Sequence, residues 1–122
     1  MHSLSEYCYF SGIPEVTIEL ISPSCELSGK KIMIACTAKH YYKNEFILRW
    51  YHRQEHTFQL IYKTIDSSQS FTLVIKHASW ADRGDYMCEV CNHEDCANSS
   101  TVDVHIVSKT FLYKHQHLWR KN

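Results

Sequence analysis

The sequence predicts an all-β protein, a sandwich of two antiparallel sheets, from three observations. Short runs of alternating apolar and polar residues recur along the chain, separated by turn residues, as strands are. Two cysteines, Cys36 and Cys88, stand in two such runs, and Trp50 stands in a third run between them. A tight turn and a strand follow each other directly at 82–88. With 122 residues, the chain has room for one such domain and short tails.

The run DRGDYMC at 82–88 combines the signals of a turn and a buried strand. Asp82 and Gly84 fit the turn, since an aspartate side chain accepts hydrogen bonds from nearby backbone amides and glycine accepts a positive φ. Tyr86 and Cys88 then share one face of a strand, because side chains alternate. A second strand has the same kind of face, formed by Phe46, Leu48 and Trp50. Each strand therefore offers an apolar stripe to a common core.

This pattern resembles the immunoglobulin superfamily over residues 14–108, through Cys36, Trp50, Asp82, Gly84, Tyr86 and Cys88 in that order. The resemblance implies an immunoglobulin-like Greek-key β-sandwich in which Cys36 and Cys88 bridge the two sheets. It further implies that Trp50 packs on the bridge and that the Tyr86 hydroxyl bonds to backbone upstream. The sequence departs from the family twice, because no arginine follows the fifth strand to pair with Asp82 and because Trp80 replaces a smaller polar residue.

The first four strands are predicted from alternation and breakers. The first, 16–20, ends at the Ser-Pro-Ser sequence of 22–24, and a short continuation follows at 25–27. Ser28 and Gly29 turn the chain into a strand over 31–37. A polar and aromatic loop then leads into 46–51, which places Trp50 inward.

The remaining strands follow the same logic. The apolar run FQLIY predicts a fifth strand at 58–62, and a polar turn at 66–70 precedes the sixth at 71–75. The seventh, 85–91, continues the motif, and the eighth, 100–107, turns Val102, Val104 and Ile106 inward. The short interval between the two core cysteines favours an intermediate-type (I-set) domain with variable-like fourth and fifth strands.

The chain is divided into three parts. Residues 1–13 are predicted to be an N-terminal extension, 14–108 the domain, and 109–122 a basic and aromatic tail or linker. We expect no membrane insertion by this segment, because nothing approaches the run of about 18 apolar residues that a span needs. The first residues do not resemble a signal peptide, so we expect an excised mature segment or a cytosolic domain.

Charge gives little reason to expect nucleic acid as a partner. Thirteen basic and thirteen acidic residues cancel in the chain as a whole. The tail alone is basic, with four cations and no acidic residue after position 108. We interpret it as a connector or a packed extension in preference to a contact with an anionic surface.

Six cysteines suit an oxidising compartment better than the cytosol. Cys91 and Cys96 flank the expected tip of a hairpin, so a bridge between them is sterically reasonable, with Cys8 as the main competitor. Cys25 then pairs with Cys8 or stays free. A zinc site at Cys88, Cys91, His93 and Cys96 has suitable spacing, but it would remove Cys88 from Cys36, so we expect no metal and no cofactor.

The sequence Asn98-Ser99-Ser100 is a sequon for N-linked glycosylation. A three-residue motif arises often by chance, so it is weak alone. Together with the cysteine count it favours an extracellular location, at a cell surface or in secreted form.

No motif of an enzyme is present, and three glycines leave little backbone to wrap a cofactor. A binding role is the default interpretation. If Trp50 and Cys88 point inward, a set of five side chains projects from the opposite face, namely Ile47, Arg49, Tyr51, Met87 and Glu89. Aromatic, methionine and arginine side chains are enriched at interface centres. The plainer alternative is that neighbouring side chains or the tails cover them.

The resulting hypothesis is an extracellular immunoglobulin-like domain of a cell-surface receptor, an adhesion molecule or a secreted decoy. Its partner is a protein ligand or receptor, bound at that face or at the adjoining hairpin end, and a homodimer through the face is a further expectation. The alternative is an intracellular I-set module of the cytoskeletal or muscle type, acting as spacer or docking unit with reduced cysteines. The redox state of the cysteines distinguishes the two.

Overall fold

The computed structural model describes residues 15–39, 45–92 and 95–108. The predicted extension, the predicted tail and most of the loop before the fourth strand lie outside these residues. The described strands are β1 (Glu15–Leu20), β2 (Cys25–Leu27), β3 (Ile32–Lys39), β4 (Phe46–Arg53), β5 (Gln59–Asp66), β6 (Ser70–Ile75), β7 (Gly84–Cys91), β8 (Cys96–Asn98) and β9 (Val102–Val107). One turn of 3-10 helix, Trp80–Asp82, precedes β7.

The strands form two sheets, which confirms the predicted β-sandwich. One sheet has the order β1-β3-β6, and the other has the order β2-β9-β7-β4-β5, with β8 also paired to β7. The chain crosses from the first sheet to the second between β1 and β2. All pairings are antiparallel except that of β2 with β9, which is parallel.

The core lies between β3, β4, β7 and β9. It is formed by the side chains that alternate along each strand and point inward. Every second residue of β3 and β4 is buried, and the residues between them are half-buried. The largest fully buried side chains include Trp50, Tyr86 and Phe46. Burial of this apolar surface is the main force that holds the sheets together.

A disulfide joins Cys36 on β3 to Cys88 on β7, with an S–S distance of 2.11 Å. This confirms the bridge that the resemblance implied. Trp50 pairs with Cys88 across β4 and β7, and its side chain is 1% exposed. The bridge and the indole therefore occupy the centre of the core.

Hydrogen bonds within the corner before β7 stabilise its backbone. The Asp82 carboxylate accepts hydrogen bonds from the Ser79 amide at 2.8 Å and the Ser79 hydroxyl at 3.3 Å. Gly84 has φ +125°, and a Cβ at this position would overlap the carbonyl oxygen of Arg53. The Tyr86 hydroxyl donates to the backbone oxygen of Asp82. Asp82 thus acts within its own turn, and the missing arginine leaves this corner intact.

The predicted strands differ from the observed ones mainly in two places, besides shifts of one or two residues at other strand ends. Strand β5 continues to Asp66, four residues beyond the prediction, because it stays paired with β4 as far as Phe46. The sequence 96–98 was predicted as loop but forms β8, and the last strand begins at Val102. Between them, the Ser99 amide donates to the Cys88 carbonyl at 2.8 Å, and the Ser99 hydroxyl accepts a hydrogen bond from the Cys88 amide at 3.0 Å, so a side chain supplies one of the two bonds at this position.

Candidate functional site

The surface of β4, β5 and β7 that is turned away from the core is called the outer face below. Ile47, Arg49 and Tyr51 of β4 lie on it, and so do Met87 and Glu89 of β7. All five are half-buried and alternate with core residues. The register places Arg49 opposite Glu89 and Tyr51 opposite Met87. The structure therefore brings the five predicted residues together on two neighbouring strands.

Three of these side chains form one hydrogen-bonded group. Arg49 Nη1 lies 3.1 Å from Glu89 Oε1, and the Tyr51 hydroxyl donates to the same oxygen at 3.1 Å. Burial, followed by the neighbouring Glu89 carboxylate, raises the pKa of Tyr51 above 10.0. At neutral pH the hydroxyl therefore remains a donor and the pair Arg49–Glu89 stays balanced in charge. The Glu89 carboxylate thus holds both donor side chains in place.

A second ion pair lies toward the other end of the same strands. Arg53 Nη2 is 2.8 Å from Asp85 Oδ2, and the Arg53 guanidinium lies 4.5 Å from the centre of the Phe58 ring. Stacking of this kind fixes the orientation of an arginine without removing its charge. The outer face thus has two fixed ion pairs, Arg49–Glu89 and Arg53–Asp85, at different positions along β4 and β7.

A disulfide between Cys91 and Cys96 closes the hairpin at the end of β7 and β8. The two residues are direct partners in the ladder, and Cys91 is 5% exposed while Cys96 is exposed. Asn92 and Asp95 bond to each other through backbone and side chain at 2.9 and 2.7 Å. Arg49 Nη1 also lies 3.3 Å from Cys91 Sγ, so the hairpin and the hydrogen-bonded group touch.

The same hairpin holds the sulfur atoms considered for zinc. Glu89, Cys91 and Cys96 lie within 4.8 Å of one another in the part of the chain that the structure describes. The sulfur atoms of Cys91 and Cys96 are bonded to each other, and that of Cys88 is bonded to Cys36. A metal needs a thiolate, which a disulfide does not provide. His93, the remaining member of the proposed set, lies outside the described residues.

Asn98 of the sequon is exposed at the end of β8. It pairs with Glu89 across β7 and β8, and opposed residues of an antiparallel pair point to the same side. Ser99 is buried and its hydroxyl is engaged, whereas Ser100 is exposed. The sequon asparagine therefore stands on the outer face beside Glu89.

The exposed apolar surface of β5 was not predicted as part of the site. Leu60, Ile61, Tyr62 and Ile65 are between 46% and 62% exposed. Ile65 lies opposite Ile47 and Lys63 opposite Arg49, so β5 extends the outer face sideways. The signal was present as an unbroken run Leu-Ile-Tyr, which lacks the polar alternation of a surface strand.

Cys25 is an exposed free cysteine at the start of β2. Its possible partner Cys8 lies outside the described residues. Among residues 15–39, 45–92 and 95–108, no helix is long and apolar enough to cross a membrane.

A sandwich with a buried intersheet disulfide, a tryptophan packed on it and a tyrosine-bonded corner is an immunoglobulin-type domain. The sequence model of the immunoglobulin domain family matches residues 13–92, more than half of the chain. The chain therefore belongs to the immunoglobulin domain family, whose members serve in general as protein-interaction modules. No curated protein matches the sequence. The match ends before β8 and β9, and the I-set subtype stays a prediction.

Proposed function

We propose that this domain recognises a protein partner outside the cell, as part of a cell-surface receptor, an adhesion molecule or a secreted decoy. The observation that carries the proposal is the hydrogen-bonded group of Arg49, Tyr51 and Glu89 on the outer face. It combines the side chains typical of interface centres with a fixed geometry.

A fixed group lowers the entropy that binding costs. Immobilising a free arginine or tyrosine side chain on association costs about 0.5–1.5 kcal/mol. Here the two donors are already bound to one carboxylate, and the Arg49 charge is already paired with Glu89. A partner that covers them displaces water from a balanced pair and meets Ile47 and Met87 on either side.

The extracellular location is supported by the disulfides. Two bridges in one small domain are typical of an oxidising compartment, whereas an intracellular module would keep these thiols reduced. The exposed sequon agrees with this location, and we propose that Asn98 carries an N-linked glycan.

A glycan on Asn98 would restrict the approach of a partner. Asn98 lies across from Glu89, so the sugar would stand over the β8 side of the outer face. The uncovered side is then that of β4, around Tyr51 and Ile47. We therefore place the binding surface on the half of the outer face away from the hairpin.

The test is binding of a tetramer of the domain to arrayed extracellular proteins of its source organism. Changing Tyr51 and Met87 to Ala should weaken binding to any protein found by roughly tenfold or more. The matched control changes two exposed aliphatic residues away from the outer face, Ile21 and Val74, to Ala. Unchanged binding by the Tyr51→Ala, Met87→Ala variant, at an unchanged melting temperature, would rule this face out.

A further inference from the structure

Strand β5 is a free edge of the larger sheet. One side of it pairs with β4, and among the described residues no strand pairs with its other side. An unpaired edge presents a row of amide and carbonyl groups that another strand can extend, and soluble proteins usually protect such edges with charges, proline or short length. Strand β5 is eight residues long and contains no proline. Its four large apolar side chains, Leu60, Ile61, Tyr62 and Ile65, are all exposed.

The first part of β5 is irregular and the second part is regular. Tyr51 pairs with Leu60 while Trp50 pairs with Tyr62, so Ile61 is an extra residue that forms a bulge. From 62 to 66 the pairing with β4 is continuous. The regular stretch has Thr64 at its centre, and its one cation, Lys63, lies next to that centre.

A groove lined by apolar and polar side chains lies beside the edge. This groove of about 450 Å³ opens between β5 and β6, and Tyr62, Thr64, Leu73 and Val74 are among the residues that line it. In the described part of the chain, β6 is also the last strand of its sheet on this side. Within residues 15–39, 45–92 and 95–108, the two sheets thus end here without a strand that covers the gap between them.

We infer that β5 pairs edge to edge with β5 of a second copy of this chain, antiparallel about a two-fold axis at Thr64. A two-fold axis requires a surface that complements itself, and an antiparallel strand edge does so. The regular stretch 62–66 is symmetric about Thr64, which places threonine against threonine, a favourable cross-strand pair. Lys63 then meets Ile65 of the second copy and avoids the like charge that it would meet in a register centred on itself.

The area agrees with a dimer of modest affinity. The four half-exposed apolar side chains offer on the order of 400 Å², a large patch for a monomer. A stable interface takes about 800 Å² from each partner. The side chains supply about half of this, and the backbone edge and the groove beside β6 supply further surface. We therefore expect reversible association.

This dimer does not rest on the proposed function, because it uses the edge of β5 and leaves Tyr51 and Met87 uncovered. It joins two large sheets into one and sets two outer faces side by side. Two binding faces on one assembly would engage a clustered partner with an avidity beyond either affinity alone.

Sedimentation velocity of the full chain over a concentration series tests the dimer, with Cys8 and Cys25 changed to Ser to exclude disulfide-linked pairs. We expect a concentration-dependent dimer that Ile65→Lys weakens by roughly tenfold or more. Ile21→Lys is the matched control, since Ile21 is 52% exposed and lies outside β5, and it should leave the dimer unchanged. A chain that stays monomeric throughout, or a dimer insensitive to Ile65→Lys, would overturn the inference.

A cysteine placed on the proposed axis tests the register. In the same background, Thr64→Cys should form a covalent dimer on mild oxidation, because opposed residues of an antiparallel pair lie at disulfide distance. Ile21→Cys is the control, and equal crosslinking of the two variants would contradict the arrangement. A dimer that is lost on Tyr51→Ala, Met87→Ala but kept with Ile65→Lys would show that copies pair through the outer face, against this inference. A dimer that is lost with Ile65→Lys but kept with Tyr51→Ala, Met87→Ala supports pairing through the β5 edge. This holds whether or not another partner is found for the outer face.

Discussion

The buried corner around Tyr86 and the outer face around Tyr51 contain the same pair of groups, a disulfide and a hydrogen-bonded tyrosine. In the buried corner, Cys36, Cys88 and Tyr86 are at most 1% exposed. On the outer face, Tyr51 is half-buried and Cys96 is exposed. Because an unmade bond costs most where water cannot replace it, the first set should determine stability. The second set can be changed at a lower cost to the fold than the first, as a binding surface requires.

The largest difference is expected between the two disulfides. Removing the bridge by Cys36→Ala, Cys88→Ala opens a loop with a sequence separation of 52, worth about 4 kcal/mol in the chain-entropy model. Cys91→Ala, Cys96→Ala opens one with a separation of 5, worth about 2 kcal/mol or less. Urea unfolding of both variants measures these costs. Equal losses of unfolding free energy would remove the distinction between the two regions.

A glycine in the buried corner provides the next largest effect. Gly84→Ala should destabilise by about 3 kcal/mol, because φ is +125° and the new methyl group would overlap the Arg53 carbonyl. Gly29 has φ +89° with open space around it, so Gly29→Ala should cost only about 1 kcal/mol. Thermal and urea unfolding of the two variants gives the comparison. A Gly84→Ala protein as stable as Gly29→Ala would show that the corner can relax.

Removal of the two tyrosine hydroxyls should show a smaller difference in stability, with the larger cost again in the buried corner. Tyr86→Phe leaves the Asp82 carbonyl without its donor at a buried position and should cost about 1–2 kcal/mol. Tyr51→Phe leaves Glu89 with Arg49 and with access to water, so its cost should stay below about 0.5 kcal/mol. Unfolding free energies at neutral pH decide this. A larger loss for Tyr51→Phe would mean that the outer face supports the fold.

At alkaline pH, the buried hydroxyl of Tyr86 should have a smaller but measurable effect on the free energy of unfolding. Burial, followed by the Asp82 charge, raises the pKa of Tyr86, so the folded chain holds this proton more tightly than the unfolded chain, whose pKa is 10.0. The associated stability is complete below about pH 10 and is lost as the pH rises toward the folded pKa. Tyr86→Phe should therefore lose less stability than the wild type between about pH 9 and about pH 11. Parallel curves for the two proteins would contradict this role.

Much of the fold could be predicted because alternation and burial coincide in its central strands. The central residues of β3, β4 and β7 alternate between buried and half-buried positions, so period-two patterns identified these strands. The disulfide between β3 and β7 was implied by the resemblance to the immunoglobulin superfamily. β8 could not be predicted, since Cys-Ala-Asn is too short to show a period. The end of β5 was missed because the apolar run ends at Tyr62 and a polar turn was predicted from Asp66, whereas pairing with β4 keeps residues 63–66 extended.

The candidate site was predicted in position but not in its contacts. Alternation placed Arg49, Tyr51 and Glu89 on one face, but their shared hydrogen bonds depend on the register of two strands about 40 residues apart. That register comes from the packing of the whole sandwich, which local sequence does not encode. The role of these residues in binding a partner stays a prediction, as does glycosylation at Asn98.

Non-reducing peptide mapping of the protein from its natural source tests most directly whether both regions are closed by disulfides, as a rigid recognition domain outside the cell requires. We predict one linked pair containing Cys36 and Cys88 and a second containing Cys91 and Cys96, with Cys25 joined to none of these four. Recovery of all four as free thiols would contradict extracellular recognition and support the intracellular module instead.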